Sequence, residues 1–208
     1  MLKGKQAELL YKEEIMEIVQ YNSHYAQDFV SLNSAWIINT FGKLEKEDIE
    51  TFQNIEREIS NGAMIYFAVE NDSVMATCMV RDIGNETWEI CKLAANDKFK
   101  GKGAGTAVFE QCMKYAIDHG AKKLFMLSNS GLKTALHIYY KHGFKEIKLD
   151  DYEYERGDIA FGAHRESILC IISATVDHVP MWEKERIDRH APCVYQRIAR
   201  QEQAVGSV

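Results

Sequence analysis

An apolar, β-prone run that passes through a glycine-spaced loop into a long helical pattern leaves a chain few architectures. Residues 88–106, WEICKLAANDKFKGKGAGT, have that form. Trp88, Ile90, Leu93, Ala94 and Ala95 read as a strand, residues 96–98 as a polar turn, and glycines follow at 101, 103 and 105. Glycine lets the backbone take positive φ and approach a ligand closely. The helix start behind the loop leaves unpaired N–H groups and a partial positive charge aimed at the same point. Strand, loop and helix N-terminus together make an anion site, most naturally for phosphate. No GxxxxGK[ST] loop is present, and Thr106 stands where a GxGxxG dinucleotide loop needs its last glycine.

The rest of the chain alternates strands and helices around this stretch. Residues 15–19 alternate apolar with polar and predict a first strand. Ser23 is placed to cap a helix to about residue 41 with Phe29, Leu32, Trp36, Ile37 and Thr40 near one face, ended by Gly42. An acidic first turn at 46–48 starts a second helix, expected to run to Asn61 and Gly62. Two strands, 64–70 and 74–81, joined by Asn71-Asp72, form a hairpin signal. The helix over 103–119 buries Val108, Phe109, Cys112, Tyr115 and Ala116 and stops at Gly120. A short apolar strand at 123–127, a helix over 132–142 and a strand from Phe144 complete the pattern. Such alternation predicts an α/β (α+β) fold with a mixed, partly parallel central sheet flanked by helices.

Two blocks carry a family resemblance. Lys100-Gly101-Lys102-Gly103-Ala104-Gly105 resembles the pyrophosphate arm of the GNAT superfamily of acetyl-CoA-dependent N-acyltransferases, whose pattern is Arg or Gln, two residues, Gly, one residue, Gly or Ala. Lysine in the first position departs from that pattern. Residues 127–144, LSNSGLKTALHIYYKHGF, resemble the family's strand end, helix and Tyr-x-x-x-Gly-Phe segment, in the right order and at the right distance. The resemblance covers roughly residues 15–163.

It implies acetyl transfer from acetyl-CoA to a primary amine of a small molecule or peptide. Implied with it are a pantetheine arm paired along Leu93, Ala94 and Ala95, a pyrophosphate on residues 100–106 (Lys100, Gly101, Lys102, Gly103, Ala104, Gly105, Thr106), and Asn129 against the pantetheine amides. Asn129 also fits an ordinary helix-capping turn with Ser128, Ser130 and Gly131. Tyr139 is the implied general acid and Glu89 the candidate general base. An alkyl ammonium has a pKa of about 10.4 and glutamate about 4.3, so Glu89 needs a water relay or a raised pKa to act. Ser23, His24, Trp36, Glu45 and Asp48 fall in segments that cover the acceptor site in this family. The alternative is an acyl-CoA-binding sensor or interaction module on the same fold.

Composition narrows the partners. A formal charge of −6 argues against nucleic acid and mildly favours a cationic substrate. Five cysteines without a CxxC pair read as reduced, with 78, 91 and 112 inside elements, and the starting residues carry no apolar signal region. A cytoplasmic protein with no membrane partner and no metal is expected, and a homodimer remains open. His137 and His142, five apart on one helix, do not converge on a metal and are expected at the surface. Beyond residue 163 the composition shifts, and both prolines lie there. The expectation is an acyltransferase domain at 1–163 and a C-terminal extension at 164–208.

Overall fold

The computed structural model describes residues 16–150 and 152–169. Residues 1–15 and most of the extension expected at 164–208, with Cys170 and Cys193, lie outside the described residues.

Seven strands form one sheet in the order β1-β2-β3-β4-β5-β7-β6. They are β1 (Glu17–Gln20), β2 (Met64–Glu70), β3 (Ser73–Asp82), β4 (Thr87–Ala95), β5 (Lys123–Ser128), β6 (Lys145–Ile147) and β7 (Ile159–His164). Helices α1 (Ala26–Phe41), α2 (Lys46–Gln53), α3 (Ile55–Ser60), α4 (Ala104–Asp118) and α5 (Lys133–Lys141) flank them. Every strand pair is antiparallel except β4 with β5, so the sheet is mixed as expected. Asn71 and Asp72 both take positive φ, the conformation of a tight hairpin turn, and join β2 to β3.

Strand alternation splits the core between two faces. Ile65, Phe67 and Val69 of β2 meet Phe29 of α1 and Ile55 of α3. Tyr66 and Ala68 turn the other way, into the cluster built on Val108, Phe109, Cys112, Met113 and Ala116 of α4. These α4 residues recur at helical spacing, so one broad stripe of the helix covers the middle of the sheet.

Three local expectations shift. Asn22, rather than Ser23, accepts the capping bond, from the His24 N–H at 3.0 Å, and Ser23–Tyr25 forms a 3-10 turn ahead of α1. The single helix expected over 46–61 breaks in two at Asn54. Its side-chain amide takes the Glu50 carbonyl at 2.7 Å, the acceptor that its own backbone N–H would use in a continuous helix. The boundary expected at 163 falls inside the packed unit: residues 165–169 are helical, Ile168 is fully buried in the main core and Leu169 packs against it.

Candidate active site

The parallel strands β4 and β5 pair at three positions only, Thr87–Lys123, Trp88–Leu124 and Glu89–Phe125. Past them the strands part, and the cause lies on the opposite edge of β4. There the register with β3 steps from Met79–Cys91 to Thr77–Ala94, so Lys92 and Leu93 together oppose Cys78. Lys92 has φ 52°. A bulge of this kind bends its strand and increases local twist. The result is a wedge in which Ile90–Ala95 and Met126–Ser128 share no ladder, and whose edges can pair with an extended guest. Leu93, Ala94 and Ala95 all lie on this edge.

The glycine loop closes onto the open end of the wedge. A 3-10 turn at Asp97–Phe99, capped by the Asn96 side chain, leads to Gly101 and Gly103, with φ 85° and 80°. Gly103 is the N-cap of α4, and no side chain caps that end. The N–H groups of Ala104, Gly105 and Thr106 therefore lack intrahelical acceptors and point into the loop. Gly105 faces Ala95: a β-carbon there would sit 4.0 Å from the Ala95 β-carbon, so the helix start lies against the strand end. Lys100 is exposed, whereas Lys102 pairs with the buried Glu70 carboxylate at 2.6 Å and is already countered.

Tyr139 sits on the inner face of α5, between Phe109 and Phe161 at ring distances of 5.5 and 5.4 Å. Burial pushes its phenol pKa up. Ser128 ends β5, and its buried Oγ has no hydrogen-bond partner among the described residues. Tyr140, next to Tyr139 in sequence, is half exposed and bonded to Glu146. His137 is exposed, but His142 is buried, which corrects its expected surface position. Its ring nitrogens reach the Ile138 carbonyl and the Glu110 carboxylate, each at 2.8 Å.

On the other face of the sheet a cleft of about 380 Å³ opens between α2, α3, the end of β3 and the segment before β7. Its lining is wholly polar: four glutamates (47, 50, 58 and 153), two arginines (57 and 81), Thr51 and Asn54. Glu89 lies just behind it, 4% exposed at its side chain. Its Oε2 accepts the Arg81 Nε–H at 2.7 Å and lies 2.7 Å from Nη2.

Three other candidates are held by partners within the fold. The Asn129 amide donates to the Arg156 carbonyl at 2.7 Å, and its oxygen accepts the Gly131 N–H at 2.8 Å, so the capping-turn geometry is realised. Asp48 is fully buried and holds three elements together. It accepts Lys92 Nζ from the β4 bulge at 2.6 Å and both terminal nitrogens of Arg156 at 2.7 and 2.8 Å. Glu45 accepts the backbone N–H groups of Glu155 and Arg156. Lys92, Arg81, Glu153, Tyr154 and Arg156 escaped the sequence reading. The signal available was Lys92 itself, a lysine within a largely apolar strand.

The Acetyltransferase (GNAT) family model matches residues 27–144, more than half of the chain. This chain belongs to the GNAT acetyltransferase family. No curated protein sequence matches it. Among solved structures it resembles a GNAT-family acetyltransferase from Staphylococcus aureus Mu50 (TM-score 0.66, 16% identity, 72% of this chain and 99% of that one). It also resembles an acetyltransferase from Streptococcus agalactiae 2603 (0.62, 21%, 72% and 98%). A third is YncA from Salmonella typhimurium, solved with its cofactor acetyl-CoA (0.60, 13%, 72% and 94%). At these identities the likeness is one of GNAT fold. The family match runs from α1 through α5, so the wedge, the glycine loop and Tyr139 lie inside it. Glu153 and Arg156, which wall the polar cleft and its buried network, lie beyond it.

Among the described residues no helix is long and apolar enough to cross a membrane, and no cluster of three metal-ligating side chains occurs.

Proposed function

We propose that this GNAT protein transfers an acetyl group from acetyl-CoA to a primary amine of a small molecule or peptide, by direct attack of the amine on the thioester. The observation that carries the reading is the open β4–β5 wedge running into the uncapped start of α4. An extended pantetheine arm meets free strand-edge groups there, and a pyrophosphate meets the N–H groups of Ala104, Gly105 and Thr106 beside Gly101 and Gly103. The polar cleft on the Glu89 side receives the acceptor: its four glutamates against two arginines favour a cation, and its lining of polar and charged residues disfavours a greasy one.

In the reaction the amine nitrogen bonds to the thioester carbon as the C–S bond breaks. A backbone N–H of the Leu93–Ala95 edge polarises the carbonyl oxygen. Tyr139 protonates the departing thiolate and recovers a proton from the acylated nitrogen. Since burial raises the phenol pKa, Tyr139 gives its proton as charge builds on sulfur, not beforehand.

The direct test is release of CoA from acetyl-CoA in the presence of polyamines, aminoglycosides, amino acids and peptides with free N-termini. Release with at least one amine is expected. A protein that binds acetyl-CoA and releases none with any of them would instead be a sensor or interaction module.

The anion site has a test of its own. Gly103→Asp puts a carboxylate where the pyrophosphate charge lies, at a backbone φ that aspartate tolerates better than most residues. Acetyl-CoA affinity should fall at least tenfold, roughly 1.4 kcal/mol, with the fold intact. Titration calorimetry on the variant measures this, and undiminished affinity would remove the loop from the binding site.

A further inference from the structure

Arg81 sits among three carboxylates, with Glu89 at 2.7 Å, Glu153 at 3.9 Å and Glu58 at 4.0 Å. These three are not equivalent. Glu89 is almost sealed, and one of its oxygens accepts the Arg81 Nε–H at 2.7 Å and lies 2.7 Å from Nη2 of the same guanidinium. A proton arriving on that oxygen would have to disrupt a buried, hydrogen-bonded ion pair. Glu153 is 43% exposed at its side chain, lines the polar cleft and meets the guanidinium only at the edge of ion-pair distance. Its carboxylate is therefore open to a molecule in the cleft.

We propose that Glu153, carried by the segment between β6 and β7, is the general base that takes the proton of the acceptor amine, and that the Arg81–Glu89 pair positions it. The inference rests on the amine-acetylation reading above and moves the base from Glu89 to a residue outside the family match.

The charges around Glu153 agree with that role. Partial burial pushes its carboxyl pKa up and the Glu89 charge adds to the rise, while Arg81 and Lys92 oppose it and Glu47 reinforces it. The net is upward, which makes Glu153 a better proton acceptor than an ordinary glutamate. Glu58, from α3, faces it across Arg81. The protons balance. The bound ammonium gives one proton to Glu153 and becomes a neutral amine, which attacks. The acylated nitrogen then yields a second proton, which ends on the CoA sulfur by way of Tyr139. Glu153 returns its own proton to solvent through the open cleft.

The test is the pH dependence of kcat/KM, with an amine found active in the CoA-release assay, for the wild type, Glu153→Gln and Glu89→Gln. The wild type should lose activity on the acid side with an apparent pKa above the ordinary glutamate range. Glu153→Gln should abolish that acid limb and lower kcat on the order of tenfold or more, with acetyl-CoA affinity unchanged. Glu89→Gln should keep the limb and move it to lower pH, because the repelling charge is gone and Arg81 turns toward Glu153. An acid limb that survives Glu153→Gln, or vanishes in a folded Glu89→Gln, overturns the assignment of Glu153 alone. Wild-type protein that releases no CoA with any amine overturns both this assignment and the reading beneath it.

Discussion

Tyr139→Phe is expected to lower turnover by about 10²- to 10⁴-fold, the range typical of a lost acid–base group, while leaving acetyl-CoA affinity nearly unchanged. The substitution keeps the ring between Phe109 and Phe161, so the α5 packing survives and only the hydroxyl is removed. An unperturbed phenol of pKa about 10 facing a thiolate of pKa about 8.5 loses about 2 kcal/mol on complete transfer, and burial of Tyr139 widens that gap. The loss should therefore appear in kcat, where the breaking C–S bond draws the proton, and not in binding. Tyr140→Phe is the control: its hydroxyl is turned to the surface and bonded to Glu146, and turnover should barely change. Steady-state kinetics with an active amine decide the matter. Near-full turnover by Tyr139→Phe would leave the residue as core packing and the thiolate to take its proton from water.

Asp48→Ala is expected to destabilise the fold by about 3–5 kcal/mol, a hundredfold or more in the folding equilibrium. Arg156 would still have Glu45 at 3.1 Å, but Lys92, 5% exposed, would keep only the Tyr154 hydroxyl and the rings of Phe52 and Tyr154. A buried ammonium without a counter-charge is among the costliest defects a point substitution can make. The exposed Lys43–Glu155 pair is the contrast. Both partners lie in solvent, so Lys43→Ala should cost less than about 1 kcal/mol although its contact distance is 2.8 Å. Urea or guanidinium titration of the two variants measures the difference.

The same site sets an acid limit. Burial pushes the Asp48 carboxyl up, but hydrogen bonds from Arg156 and Lys92 outweigh it and hold the pKa below the ordinary aspartate value of 3.8. With the folded pKa depressed, the stabilisation is complete above the unfolded pKa and is lost as pH falls through the folded one. Asp48 therefore contributes to acid unfolding only below about pH 3.8.

What could be read in the sequence was local and periodic. The α4 stripe, the β2–β3 hairpin at Asn71-Asp72 and the glycines before α4 each declare themselves within a few residues, and the structure has them. The family motifs singled out Tyr139 and the glycine loop, although nothing in the composition gives their roles. Contacts between distant segments were illegible. Asp48 reads as part of an acidic first turn, yet its partners stand 44 and 108 residues away. Glu89 reads as an available carboxylate because its partner, Arg81, comes from the neighbouring strand. His142 looks like a surface residue until α4 brings Glu110 beside it. The Asn54 break failed for a subtler reason: the side chain competes for a backbone carbonyl, which leaves the apolar pattern undisturbed.

The three-position ladder between β4 and β5 also divides the molecule mechanically. Strands β1 to β4 form one antiparallel leaf, and β5, β7 and β6 form another. Main-chain hydrogen bonds join the leaves only near Thr87–Glu89, and beyond the Asp48–Lys92–Arg156 cluster and the Arg81–Glu153 contact the leaves cohere through one shared core, where Leu124, Met126 and Phe161 meet the α4 side chains. Hydrogen bonds demand a fixed direction, whereas apolar packing does not. A joint built in this way resists separation but sets the angle between its leaves less rigidly than a full ladder would. The book is bound at its spine and free along its pages, and a guest laid along both free edges is a splint that fixes how far it stands open.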